Sequence, residues 1–342
     1  MIAALLSLAL LSTPPVQALI DAKRWDEAEA LLPSLPPDAR PRFEGLIAQA
    51  RGKPMDAAKA FERALRATPG IPQLHLHAAH AYLQLSQFEA VLRHAQAASA
   101  LRDEAMAQPL LEARALEGLN RDGEAYTVLS RACETFETEF RPWMEFAALA
   151  HRKKLAFQVR RAARKALALG PDRRAALALF HLLYTDRDAL PILEEIAATY
   201  PGDGEFRAHL GHVYARHRQW FSAARLFEEA TVKGADYAFE AADQFRMAGH
   251  YRHALRMNGR APSSQAQRAQ RVAILFEQGQ YARVVALDFT FDEPGSRYRV
   301  AYSHYAVGDY SGAKMHARAL LETPYREEAD ALLQAMARDV GP

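Results

Sequence analysis

The stretch DGEFRAHLGHVYARHRQWFSAARLFEEATVKGA, residues 203–235, is the clearest copy of a unit that recurs along almost the whole chain. Leu210, Gly211 and Tyr214 fall on one face of a first helix, at i, i+1 and i+4. Trp220, Ala223, Phe227 and Ala230 follow at spacings of 3, 4 and 3, which makes one stripe of a second helix. The two stripes must face each other. Gly211 and Ala223 let the backbones approach, while Tyr214, Trp220 and Phe227 fill the space beside that close contact.

Working outward, the same unit is found on both sides. Upstream, Gly45, Ala79, Ala113 and Ala147 hold one register, each 34 residues from the next. Their second helices carry Ala57, Phe61 and Ala64, then Val91, Ala95 and Ala98, then Ala125, Leu129 and Ala132, then Ala163, Ala166 and Leu167. The run Asn120, Arg121, Asp122, Gly123 marks a turn between helices. Trp25, Ala28 and Leu32 begin the series as a shortened unit that Pro33, Pro36 and Pro37 end. A further short unit has Pro191 near the start of its second helix, where a proline is tolerated. Downstream, three units share a glycine two residues before a tyrosine: Gly249 and Tyr251, Gly279 and Tyr281, Gly308 and Tyr310. Loop breaks are expected near 201–204, 258–264 and 292–296, helix and turn at 284–291, and one amphipathic helix at 325–339.

A 34-residue helix-turn-helix with small and aromatic residues at fixed offsets resembles the tetratricopeptide repeat. The resemblance covers roughly residues 20–340. It implies an all-α fold, an α-solenoid wound as a right-handed superhelix of about nine to ten units. On that reading residues 19–37 are a truncated capping unit, 38–324 the repeat array and 325–342 a capping helix with a solvating outer side. The family lines its concave face with the first helix of each unit, so partner contacts are expected there.

Composition narrows the function classes. With 43 basic and 41 acidic residues, a net charge of +2 and 50% apolar residues, the chain is neither disordered nor built mainly to hold nucleic acid. The single cysteine cannot form an intramolecular disulfide, and no Cys and His spacing matches a zinc site. Residues 2–11 form an apolar run, and Val16 and Ala18 occupy the small-residue positions read before a cut after Ala18. Residues 1–18 are therefore expected to be a signal peptide, though no Lys or Arg precedes the run. The expected location is a bacterial periplasm or cell envelope; the alternative is a cytoplasmic adaptor in which these residues belong to the first capping helix. No segment is long enough to span a bilayer, so the cleaved chain is not expected to be an integral membrane protein.

For a binding site, the tyrosine stripe Tyr298, Tyr302 and Tyr305, at i, i+4 and i+7, lies on the first helix of the last unit. Phe239, Phe276 and His212 occupy comparable faces of preceding units, which makes the carboxy-terminal concave surface the candidate site. Packing of these tyrosines against neighbouring units is the competing explanation. A terminal-carboxylate clamp of the co-chaperone kind is not expected. The corresponding positions hold Leu76 and His80, Leu110 and Arg114, Met144 and Ala148, Ala208 and His212, with no asparagine. The basic run at 151–174 points Arg160, Arg161, Arg164 and Lys165 outward, away from Val159, Ala163, Ala166 and Leu167. The pairs His77 and His80, His209 and His212, His250 and His253 lack a third metal ligand, and no nucleophile elbow, phosphate loop or dinucleotide fingerprint is present. No cofactor, no metal and no enzyme activity are expected. The expected function is a protein-interaction scaffold of an envelope assembly, with a polysaccharide-binding module carried by the tyrosines as the alternative.

Overall fold

The computed structural model describes residues 15–101 and 105–339. The apolar run at 2–11 and the last three residues of the expected cap lie outside them. Among the described residues there are 21 α-helices, two short 3-10 segments and no strand. The chain divides into two compact bodies, residues 1–182 and 183–342.

In the first body the helices come in pairs, an A helix followed by a B helix: α1 (Pro15–Asp21) with α2 (Trp25–Leu31), α3 (Arg40–Ala50) with α4 (Pro54–Ala67), α5 (Pro72–Gln84) with α6 (Phe88–Ala100), α7 (Ala107–Gly118) with α8 (Asp122–Thr135), and α9 (Phe140–Arg152) with α10 (Ala156–Ala168). Helix α11 (Arg173–Leu183) follows. The second body contains α12 (Leu190–Thr199), then the pairs α13 (Gly204–Arg216) with α14 (Trp220–Val232), α15 (Ala238–Met247) with α16 (Tyr251–Asn258), α17 (Gln265–Glu277) with α18 (Tyr281–Val285), α19 (Pro294–Ala306) with α20 (Tyr310–Arg318), and the last helix α21 (Arg326–Asp339). Within each body, paired A and B helices pack together and B helices pack on the A helix that follows.

Two local devices explain the period. The first is the turn from A to B. Gly52, Ser86, Asn120 and Lys154 all have positive φ, between 55° and 69°, and each is 34 residues from the next. Arg218, Gly249, Gly279 and Gly308 hold the same place in the second body. The chain needs one left-handed residue to leave the A helix and re-enter the B helix antiparallel, which is why glycine precedes the tyrosine that begins α16, α18 and α20.

The second device is size matching between partners. A Cβ on Gly45 would meet the ring of Phe61 at 2.6 Å, and one on Gly211 the ring of Phe227 at 3.1 Å. Both phenylalanines are fully buried and lie 16 residues past their glycine. At the same offset, Ala79 is followed by Ala95, Ala113 by Leu129 and Ala147 by Ala163, all buried. Glycine on the A helix therefore accompanies a ring on the B helix, and alanine accompanies a smaller side chain. Each buried ring contributes about 2–3 kcal/mol through area removed from water.

Pro191 occupies the first turn of α12, and residues 284–291 are the end of α18 and a turn, both as expected. The described residues begin with the amino-terminal pair. Its first helix is described from Pro15, so positions 18 and 19 both lie inside α1, and Val16, 1% exposed, is buried with Ala28, Phe43 and Ile47.

Candidate functional site

Neighbouring A helices within each body are joined by a ladder of polar contacts about one period apart. Gln49 donates from Nε2 to His80 Nδ1 at 2.9 Å, Arg114 pairs with Glu145, Arg246 with Glu277, and Gln270 Nε2 donates to the Phe239 carbonyl at 2.9 Å, each spanning 31 residues. A reach of one period less one helical turn is what staggered, side-by-side A helices dictate. These contacts run along the A-helix face, between the side chains that the packing does not use.

In the first body this face holds a groove of about 380 Å³ bounded by α3, α5, α7 and α9. Leu76, Leu110 and Leu111 supply apolar lining, His77 and His80 polar lining, and Arg114, Arg141 and Glu145 the charged part. The volume suits one or two side chains of a bound segment. His77 stacks on Phe61 with ring centroids 5.3 Å apart. Burial pushes its imidazole below the ordinary value, and the nearby Arg42 and His80 push it further the same way. His80 is lowered by loss of solvent in the groove and then by Arg114. Both imidazoles are therefore favoured neutral, which leaves the arginines as the cations. Arg114 is engaged by Glu145, whereas Arg141 is exposed and has no carboxylate within 4.0 Å among the described residues. The lining can accept an apolar side chain, and the rim a carboxylate.

The expected carboxy-terminal site is arranged differently. Tyr298 stacks on Tyr325 at 5.6 Å, Tyr302 meets Phe276 and Tyr281 edge-on, and the Tyr305 hydroxyl donates to Asp339 at 2.8 Å. All three tyrosines are half-buried against the cluster of Ala301, Ala313, Ala317, Leu320, Ala329, Leu332 and Met336, to which α21 contributes the last three. Packing thus occupies the stripe, and α21 is the element it packs against. Phe276 joins the tyrosines, but Phe239 and His212 do not. Phe239 is 36% exposed without a ring partner among the described residues, and His212 lies edge-on to Phe227 and Tyr237. Burial lowers the His212 pKa, against the pull of Glu240.

Sequence reasoning passed over the groove although it had placed Leu76, His80, Leu110 and Arg114 on the right face. The signal lies in the leucines at 76 and 110, one period apart, at positions where a carboxylate clamp would instead need polar donors. A second feature it missed is a buried polar chain in α4, α5 and α6. His94 is 4% exposed, with Nε2 3.1 Å from Glu62 Oε1 and Nδ1 3.1 Å from His75 Nδ1, while the Tyr82 hydroxyl donates to the same Glu62 oxygen at 3.0 Å.

Paired antiparallel helices of this period, closed by a left-handed residue and packed by small-to-large matching, resemble tetratricopeptide repeats, and the described residues form an all-helical repeat array. The sequence matches no protein-family model and no curated protein. Among solved structures, the chain is similar to MamA from Desulfovibrio magneticus RS-1, with 14% identity over 58% of this chain and 96% of that one, at a TM-score of 0.39. It is also similar to the carboxy-terminal part of a TPR repeat-containing protein from Cytophaga hutchinsonii (11% identity, 84% and 98% covered, TM-score 0.40). A third is a thermophilic TPR protein, TTC0263, of Thermus thermophilus (16% identity, 64% and 98% covered, TM-score 0.36). All three scores are below 0.5, so the repeat assignment rests on the spacing and packing of this chain itself.

Proposed function

We propose that the protein is a non-enzymatic interaction scaffold that holds an extended segment of a partner protein in the groove between α3, α5, α7 and α9. The observation that carries this reading is the combination of a leucine-lined cavity with Arg141 at its rim, which has no carboxylate partner among the described residues. The matching segment carries an apolar side chain beside an Asp or Glu, since a carboxylate pairs with the Arg141 guanidinium while the apolar group displaces water from Leu76 and Leu110. Fluorescence anisotropy with labelled peptides alternating Leu or Ile with Asp or Glu tests it. Such peptides should bind, their lysine counterparts should not, and Arg141→Glu should weaken binding at least about tenfold. Binding unchanged in Arg141→Glu, or none by any acidic peptide, would refute the site.

We also propose a bacterial cell-envelope setting, supported by the apolar run at 2–11 followed by Val16 and Ala18. A cytoplasmic adaptor is the second reading. It is favoured by the burial of Val16 among Ala28, Phe43 and Ile47, an anchor that cleavage after Ala18 would remove. Intact mass of the protein from host fractions separates the two: a periplasmic form starting at Leu19 supports export, and a cytoplasmic form retaining Val16 supports the adaptor.

A further inference from the structure

We propose that the outward face of α10 is a docking surface for an anionic lipid bilayer. The helix buries one stripe, Val159, Ala162, Ala163, Ala166 and Leu167, and turns Phe157, Arg161, Arg164 and Lys165 to solvent. Positions 157, 161, 164 and 165 fall within about a third of the helix circumference, so they form one continuous strip. Phe157 is 66% exposed and has no ring partner among the described residues, and Leu155 just before the helix is 42% exposed. The helix contains no Asp or Glu.

The charge on this strip is not neutralised from within. No carboxylate among the described residues lies within 4.0 Å of Arg161, Arg164 or Lys165. On the neighbouring B helix, Asp122 is engaged by Lys153 and Glu124 by Arg121, leaving Glu134 as the acid that shares the surroundings of Cys133 with Arg161. Three cations with no carboxylate partner among the described residues, beside a protruding ring, fit a bilayer interface better than a folded partner. A folded partner would need a pocket shaped for Phe157. Lipid headgroups require none: they admit the ring while the long basic chains reach the phosphates. This face belongs to the B helices and is independent of the groove on the A helices.

Co-sedimentation of the full chain with vesicles tests the assignment, comparing phosphatidylcholine alone with a mixture of phosphatidylglycerol and phosphatidylcholine. The protein should bind the mixture and not the neutral vesicles. Arg161→Gln with Arg164→Gln should lower partitioning about fivefold for each cation removed, and Phe157→Ala should lower it further. Arg252→Gln with Arg260→Gln, which changes net charge equally elsewhere, should leave binding unchanged. Parent and variants share the apolar residues 2–11, so only their difference reports on α10. Equal binding to both vesicle types, or equal loss in the two double variants, would overturn the proposal. So would retention on soluble polyglutamate without vesicle binding, which would assign the face to a soluble acidic partner. Loss of peptide binding by Arg141→Glu is a separate readout, so this surface and the groove can fail independently.

Discussion

Replacing Gly45 by alanine tests the size-matching rule directly. A Cβ at that position would stand 2.6, 2.7 and 2.9 Å from three carbons of the Phe61 ring, and Phe61 is 0% exposed, so the ring has no free space into which to retreat. Overpacking of a closed core costs about 1–3 kcal/mol, and the better helix propensity of alanine returns about 1 kcal/mol. The expected net loss is about 0–2 kcal/mol. Gly211→Ala is the control: its Cβ would be 3.1 Å from Phe227, a clearance that a shift of a few tenths of an ångström restores. The two contributions there should nearly cancel, leaving a change within about 0.5 kcal/mol of zero. Adding Phe61→Leu to Gly45→Ala recreates the buried pair that the chain already uses at Ala113 and Leu129. The double variant should therefore be less destabilised than the sum of the singles by about 1–2 kcal/mol. Urea titration followed by circular dichroism gives the global figure. Hydrogen exchange of peptides covering α3 and α4 locates it, since a repeat array can open one unit at a time. An additive double variant, or a Gly211→Ala loss as large as that of Gly45→Ala, would refute the reasoning.

Ser86 and Arg218 carry positive φ with a side chain, at 55° and 58°. Changing either to glycine should stabilise its unit by about 0.5–1 kcal/mol, the relief of left-handed strain less the greater freedom of the unfolded chain; an unmoved urea midpoint would count against it. Stability should also fall on acidification. Burial lowers the His94 pKa below the ordinary 6.5, with Arg93 and His75 acting in the same sense and Glu62 opposing. For a lowered histidine the unfolded chain binds more protons, so its contribution is intact above pH 6.5 and is lost as the pH falls through the folded value. His77, His80, His212 and His316 are lowered as well and share this direction. Melting temperatures at stepped pH values below 6.5 should drop less steeply in His94→Gln than in the parent; equal slopes would assign the acid sensitivity elsewhere.

The fold was legible because its determinants are local and repeated. Gly45, Ala79, Ala113 and Ala147 are each forced to be small by a facing B helix, and the same constraint returns every 34 residues. The glycine two residues before Tyr251, Tyr281 and Tyr310 was visible too, although its reason, a left-handed turn residue, emerged only with the backbone angles. The first body fills that same position with Ser86, Asn120 and Lys154, and no residue-type pattern could reveal the shared geometry. The amino terminus was harder for a different reason. Val16 is a small apolar residue both in a signal-peptidase pattern and in a helix that packs on Phe43, and its type alone fits either role.

Binding residues follow another logic. On an A helix the packing positions are fixed by the repeat, whereas the positions between them are free to differ from unit to unit. A tyrosine stripe at 298, 302 and 305 is therefore ambiguous in sequence: the same residues fill an exposed face or seal the last unit against its cap. The Tyr305 hydroxyl bond to Asp339, 34 residues on, settles where that side chain points, because it joins α19 to α21. The groove shows the converse. Leu76 and Leu110 look like ordinary core leucines in the chain, yet Leu76 stays half-buried at the groove, and α7 adds Leu111 and Arg114 beside it. What distinguishes the groove from the core is a cavity beside its leucines together with a cation, Arg141, that has no carboxylate partner among the described residues. Both are properties of side chains brought together across about 30 to 70 residues by the stacking of helices, so they become readable only once the register of the array is known.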